Sequence, residues 1–111
     1  MVSIFLFSNE IAGVGYRKAL EFLIKDYCIH KTPEKSDIIK RTNLGSVIEN
    51  FVEDTNIKNC AKRATWLGND ETHYTKKWED RDISDLKILI KLSCGWINSN
   101  LLTEKYLQEM Q

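Results

Sequence analysis

Apolar residues in this chain recur at three- and four-residue steps in one segment after another, and they almost never alternate singly with polar ones. That spacing lines one face of a helix, whereas a half-buried strand needs a period of two. One proline in 111 residues leaves long stretches free to run as helix. The pattern predicts an all-α fold, a four- to five-helix up-and-down bundle forming one domain over residues 1–111.

The first helix is expected from Asn9 to about His30, with Ser8 as N-cap and Ala12, Tyr16, Ala19, Leu20, Leu23 and Tyr27 as its buried stripe. Thr32-Pro33 breaks it, and proline suits the first turn of a short helix from Glu34 to Arg41. After a Thr42-Asn43 loop, Leu44, Val47, Ile48 and Phe51 mark a second amphipathic segment. Asp54-Thr55 should cap a third helix running through Leu67, with Gly68 as a left-handed C-cap. Asn69 to Arg81 reads as a long polar and aromatic loop. Asp82, with Asp85 three residues on, should cap a fourth helix. Its seam is Ile83, Leu86, Ile90, Cys94 (or Ser93) and Ile97. Leu101 to Met110 reads as a frayed last helix.

Sixteen basic and sixteen acidic residues cancel, so no global field steers this chain onto nucleic acid or an anionic membrane. Any RNA contact has to be local. Three widely spaced cysteines, Cys28, Cys60 and Cys94, suit free, buried thiols in a reducing cytoplasm rather than a disulfide framework or a structural zinc site. The apolar opening segment is too short to span a bilayer. The expectation is a cytoplasmic protein with no membrane association, no metal and no cofactor.

Three constellations could carry chemistry. Arg17 and Glu21 lie one turn apart on the first helix and share a face, where the plain reading is an exposed ion pair. Asn69 and His73 fall on one face if helical turns resume after Gly68, and an asparagine there can orient an imidazole suited to proton transfer near neutrality. Tyr74, Lys76, Lys77 and Trp78 interleave aromatics with cations, a pattern that suits base stacking beside phosphate.

The helix Gly15-Tyr16-Arg17-Lys18-Ala19-Leu20-Glu21-Phe22-Leu23-Ile24-Lys25-Asp26 resembles the signature helix of a bacterial branch of the HEPN superfamily, a domain of unknown function. Leu67-Gly68-Asn69-Asp70-Glu71-Thr72-His73 resembles the second signature of the same branch, and the likeness covers roughly residues 9–98. The resemblance implies a helical bundle that commonly dimerises, found in toxin–antitoxin and phage-defence systems. Its members include metal-independent endoribonucleases and non-catalytic modules that bind RNA or nucleotides. It would make Asn69 and His73 the catalytic pair; with the shared face of Arg17 and Glu21 and the stacking candidate Tyr74, the expected binding set is Arg17, Glu21, Asn69, His73 and Tyr74. The nuclease motif opens on an arginine, and here that position is Gly68. Loss of one preorganised charge-stabilising donor typically costs about 10²–10³ in rate. Arg17 or Arg63 would have to replace it. The expectation is therefore a non-catalytic homodimeric module binding RNA, a nucleotide or a partner protein, paired through its first and fourth helices or the Asn69–Arg81 loop. The alternatives are a ribonuclease using His73, and a purely structural role for Arg17, Glu21 and His73.

Overall fold

The structure is a computed structural model, described here for residues 14–70 and 83–111. Five α-helices and one short 3-10 turn account for nearly all of these residues, with no strand among them. The helices are α1 (Val14–Lys31), α2 (Ser36–Arg41), α3 (Leu44–Phe51), α4 (Thr55–Asp70) and α5 (Ile83–Glu109), and the 3-10 turn is Pro33–Lys35. The all-α bundle expected from the periodicity is the architecture found.

Each break has a local cause. Thr32 leaves helical geometry at φ −138°, as a residue before proline must, and Pro33 opens the 3-10 turn. The Thr42 hydroxyl donates to the Ile38 carbonyl at 2.6 Å, closing α2. Asn43 Oδ1 accepts from the Ser46 amide at 2.9 Å and caps α3. One loop further on, Asp54 Oδ1 accepts from the Ile57 amide at 3.0 Å. Each cap satisfies an amide that the helix cannot, a contribution of about 1 kcal/mol.

The core is one cluster. From α1 it takes Tyr16, Ala19, Leu20, Ile24, Tyr27 and Cys28, which adds Ile24 and Cys28 to the expected stripe and leaves Leu23 only partly buried against it. The short helices add Ile39, Val47 and Ile48, α4 adds Ile57, Ala61, Ala64 and Leu67, and α5 adds Leu86, Ile90, Cys94 and Ile97. Every described residue of the expected α5 seam is buried, Ser93 included, whose hydroxyl donates to the Leu89 carbonyl at 2.9 Å. Cys28, Cys60 and Cys94 are free, with only Cys60 partly exposed. Burial pushes the Cys28 thiol up to about 11 and raises that of Cys94 as well. No helix among the described residues is long and apolar enough to cross a membrane.

Two boundaries differ from the sequence reading. The third expected helix does not stop at Leu67. As α4 it runs through Gly68 to Asp70, so Gly68 is an interior helical residue rather than a C-cap, and Asn69 lies in the helix rather than a loop. Leu101–Met110 is no separate helix, because α5 continues through it without a break to Glu109. With 27 residues, α5 is about 40 Å long, most of the 51 Å long axis of the molecule. Ala12, Ser8, Asp82 and most of the expected 69–81 loop lie outside the described residues.

Ile90 sits at the centre of the α5 seam at 1% exposure, while Met110 at the far end is 78% exposed. Ile90→Ala should therefore lose about 2–5 kcal/mol in urea unfolding, and Met110→Ala less than about 0.5 kcal/mol. Equal losses at the two positions would contradict the placement of the core.

Candidate functional site

Arg17 is exposed on the first full turn of α1, and its aliphatic stem lies across Gly68 of α4. A Cβ added to Gly68 would stand 2.6 Å from Arg17 Cγ and 3.4 Å from Arg17 Cδ. The two residues thus compete for one volume: the Arg17 side chain occupies the space that any side chain at position 68 would fill. This explains a glycine that costs α4 about 1 kcal/mol of helix propensity. It also bears on the arginine that the HEPN resemblance expects at position 68, because an arginine stem fills that place from the neighbouring helix.

Arg63, the other substitute considered, is engaged elsewhere. Its guanidinium donates to the Asn59 carbonyl at 3.1 Å and lies over the Trp66 ring, 5.5 Å from the centroid. Five residues before Gly68, it points about 140° around the helix from it.

Arg17 and Glu21 share a face, as their spacing requires, and both line an open groove of about 600 Å³. Asn43, Leu44 and Gly45 at the start of α3 and Thr65 of α4 line it as well. Glu21, however, pairs with other cations. Its carboxylate lies 2.9 Å from Lys25 Nζ and 3.5 Å from Lys18 Nζ. Lys25 is nearly buried, and its ammonium also donates to the Lys40 carbonyl at 3.1 Å, in the last turn of α2. Lys25 thus ties α1 to α2 and neutralises the carbonyl end of that helix. Nothing in the sequence marks Lys25 above any other lysine, since its partner carbonyl becomes visible only once α2 has folded back on α1. The hydrogen bond from Lys25 holds the Glu21 carboxyl below the usual 4.5, outweighing the opposing effect of burial.

Asn69 is placed in the last turn of α4, directly after Gly68. His73 and Tyr74, with Lys76, Lys77 and Trp78, lie outside the described residues.

A second and larger groove, of about 850 Å³, opens between the end of α1 and the second half of α5. Sequence reasoning did not single it out, because its groups are far apart along the chain. The Tyr27 hydroxyl donates to Asn100 Oδ1 at 3.0 Å. Glu104 pairs with Lys31 and lies 3.7 Å from His30 Nε2. Burial pushes Tyr27 up to about 12, and the hydrogen bond from Lys31 lowers Glu104 from its ordinary value. These groups satisfy one another across the helix pair, so the groove is held by a clamp between α1 and α5. Among the described residues no cluster of three or more histidine, cysteine or carboxylate side chains could hold a metal ion.

Neither the protein-family models, the curated proteins nor the solved structures compared with this chain gave a match.

The lowered Glu21 value sets the sign of a pH effect. Folded Glu21 binds its proton more weakly than unfolded Glu21, so its contribution to stability is full above about pH 4.5 and is lost as pH falls through the lower folded value. Glu21→Gln leaves Lys25 without its carboxylate and should unfold more easily than the parent near neutrality. In urea melts the gap between the two should shrink as pH drops below about 4.5, as the parent protonates. A gap constant down to about pH 3 would remove Glu21 from the acid sensitivity.

Proposed function

We propose that this chain is a non-catalytic, HEPN-like helical module, active as a homodimer, that binds a phosphate-bearing ligand, RNA or a nucleotide, at the groove between α1, α3 and α4. The observation that carries the reading is the position of Arg17. It is an exposed cation held by its stem against Gly68, and it lines the groove. An arginine fork matches the geometry of a phosphate better than an ammonium does. Lys18 on the same wall adds a second exposed cation. With no net charge on the chain, such local cations are what would capture an anionic ligand.

Binding is favoured over catalysis because the groove is open and Arg17 is exposed. Transition-state charge is best stabilised by donors fixed in a site that excludes water. A phosphate can be held by exposed cations without that preorganisation. The HEPN resemblance supports the family part of the proposal and suggests a toxin–antitoxin or phage-defence setting. A partner protein is the other occupant the groove could serve.

One observation favours a second reading, a metal-independent endoribonuclease using His73 with Asn69. Because Arg17 fills the space of a residue-68 side chain, the cation missing from the motif would be supplied from α1.

Fluorescence anisotropy with labelled single-stranded RNA and with ATP separates these outcomes. The binding reading predicts saturable binding that falls at least about tenfold in Arg17→Ala, the scale of one charge-assisted contact, with the variant still folded by circular dichroism at the assay temperature. Equal binding by Arg17→Ala, or binding to neither ligand, would contradict it. Incubation with RNA in EDTA, beside His73→Ala, tests the second reading, for which cleavage must occur and must vanish in the variant.

A further inference from the structure

The outer face of α5 bears an apolar stripe, opposite the seam that packs into the bundle. Ile88, Leu92, Trp96, Leu102, Tyr106, Leu107 and Met110 are all substantially exposed, from 42% at Trp96 to 78% at Met110. At 100° per residue they fall on one side of the helix, around a centre formed by the exposed small residues Gly95 and Ser99. A Cβ added to Gly95 would meet nothing within 4 Å, so this centre faces open space. From Leu102 onward no residue of α5 is buried.

The stripe is large for a monomer. At roughly 200 Å² for a fully exposed large apolar side chain, these seven leave on the order of 800 Å² uncovered. The largest apolar patch of an ordinary monomer is about 300–600 Å², and a stable interface buries about 800 Å² per partner.

The stripe is also self-complementary, and this identifies its occupant. Reversed about Ser99, Ile88 meets Met110, Leu92 meets Tyr106, Trp96 meets Leu102, and Ser99 meets itself. At these three levels large apolar side chains stand across from one another, Leu107 falls at the level of Lys91 on the flank, and the small centre lets the two backbones approach. That is the arrangement required when one surface patch must match itself across a two-fold axis. The charges agree: Lys91 and Glu109 lie five whole turns apart on one flank of the stripe. In the same reversed register each Lys91 comes within two residues, about 3 Å along the axis, of Glu109 on the second copy. The stripe itself carries no charged residue, which disfavours a nucleic acid as its occupant.

We infer that the outer face of α5 is a homodimer interface, in which two copies of this chain pair their last helices antiparallel across a two-fold axis at Ser99. This names the surface for the homodimer part of the reading above, and it rests on the geometry of α5 rather than on the ligand groove. The groove between α1, α3 and α4 shares no residue with the stripe, so both copies keep it open.

The test combines light scattering with engineered thiols in a Cys60→Ser background, since Cys28 and Cys94 are buried. The full chain should run as a dimer at micromolar concentration. Leu92→Glu/Tyr106→Glu should run as a monomer with unchanged helicity by circular dichroism, both positions being exposed in the single chain. Under mild oxidation Ser99→Cys should cross-link to itself. Ile88→Cys should not, because its two copies would stand about 33 Å apart. Ile88→Cys mixed with Met110→Cys should cross-link. A monomeric parent would overturn both this interface and the homodimer reading. A dimer that survives the two glutamates, or that cross-links through Ile88→Cys alone, would overturn the interface and leave the homodimer standing.

Discussion

The bundle depends on the narrow face of α4. Ala61, Ala64 and Gly68 follow one another at helical spacing, and all three are buried. Side chains this small let α1 and α5 close on α4, so that Leu20 and Ile24 from one side and Leu86 and Ile90 from the other reach full burial. At the last step of this face the side chain is absent altogether, and Arg17 takes its place. Leaving Gly68 without a side chain therefore serves packing and positions a cation. The short helices α2 and α3 close the remaining side, fixed by the Asn43 cap and by Lys25 on the Lys40 carbonyl.

The candidate site follows from that arrangement. Arg17 has a stem confined by α4, whereas Glu21, on the same face, is drawn into an ion pair with Lys25. Two residues that look equivalent by spacing thus have different roles. Glu21 belongs to the framework that joins α1 to α2, whereas Arg17 is exposed and lines the groove.

Most of the fold was legible because its signals are local. The α5 seam from Leu86 to Ile97 was visible as a repeat, and the Asp54 cap as a residue type in the right place. Gly68 was misread because a glycine after an apolar residue looks the same whether it ends a helix or admits a neighbour, and the neighbour is far away in sequence. The end of α5 was misread because the seam that makes a helix visible fades beyond Leu101 while an outward-facing stripe persists. An apolar pattern on two faces blurs the periodicity that one face would show. The Tyr27–Asn100 and Lys31–Glu104 contacts, which hold that end to α1, join residues that nothing in the sequence connects.

The central claim is that Arg17 and a side chain at position 68 exclude one another, and a double-mutant cycle in urea tests it directly. Gly68→Ala should fail to stabilise the parent, because the new methyl meets the Arg17 stem. In an Arg17→Ala background the same change should recover the helix propensity of alanine, a gain of up to about 1 kcal/mol. Equal effects in both backgrounds would mean that the two residues do not share the space, and the account of the site would fall with it.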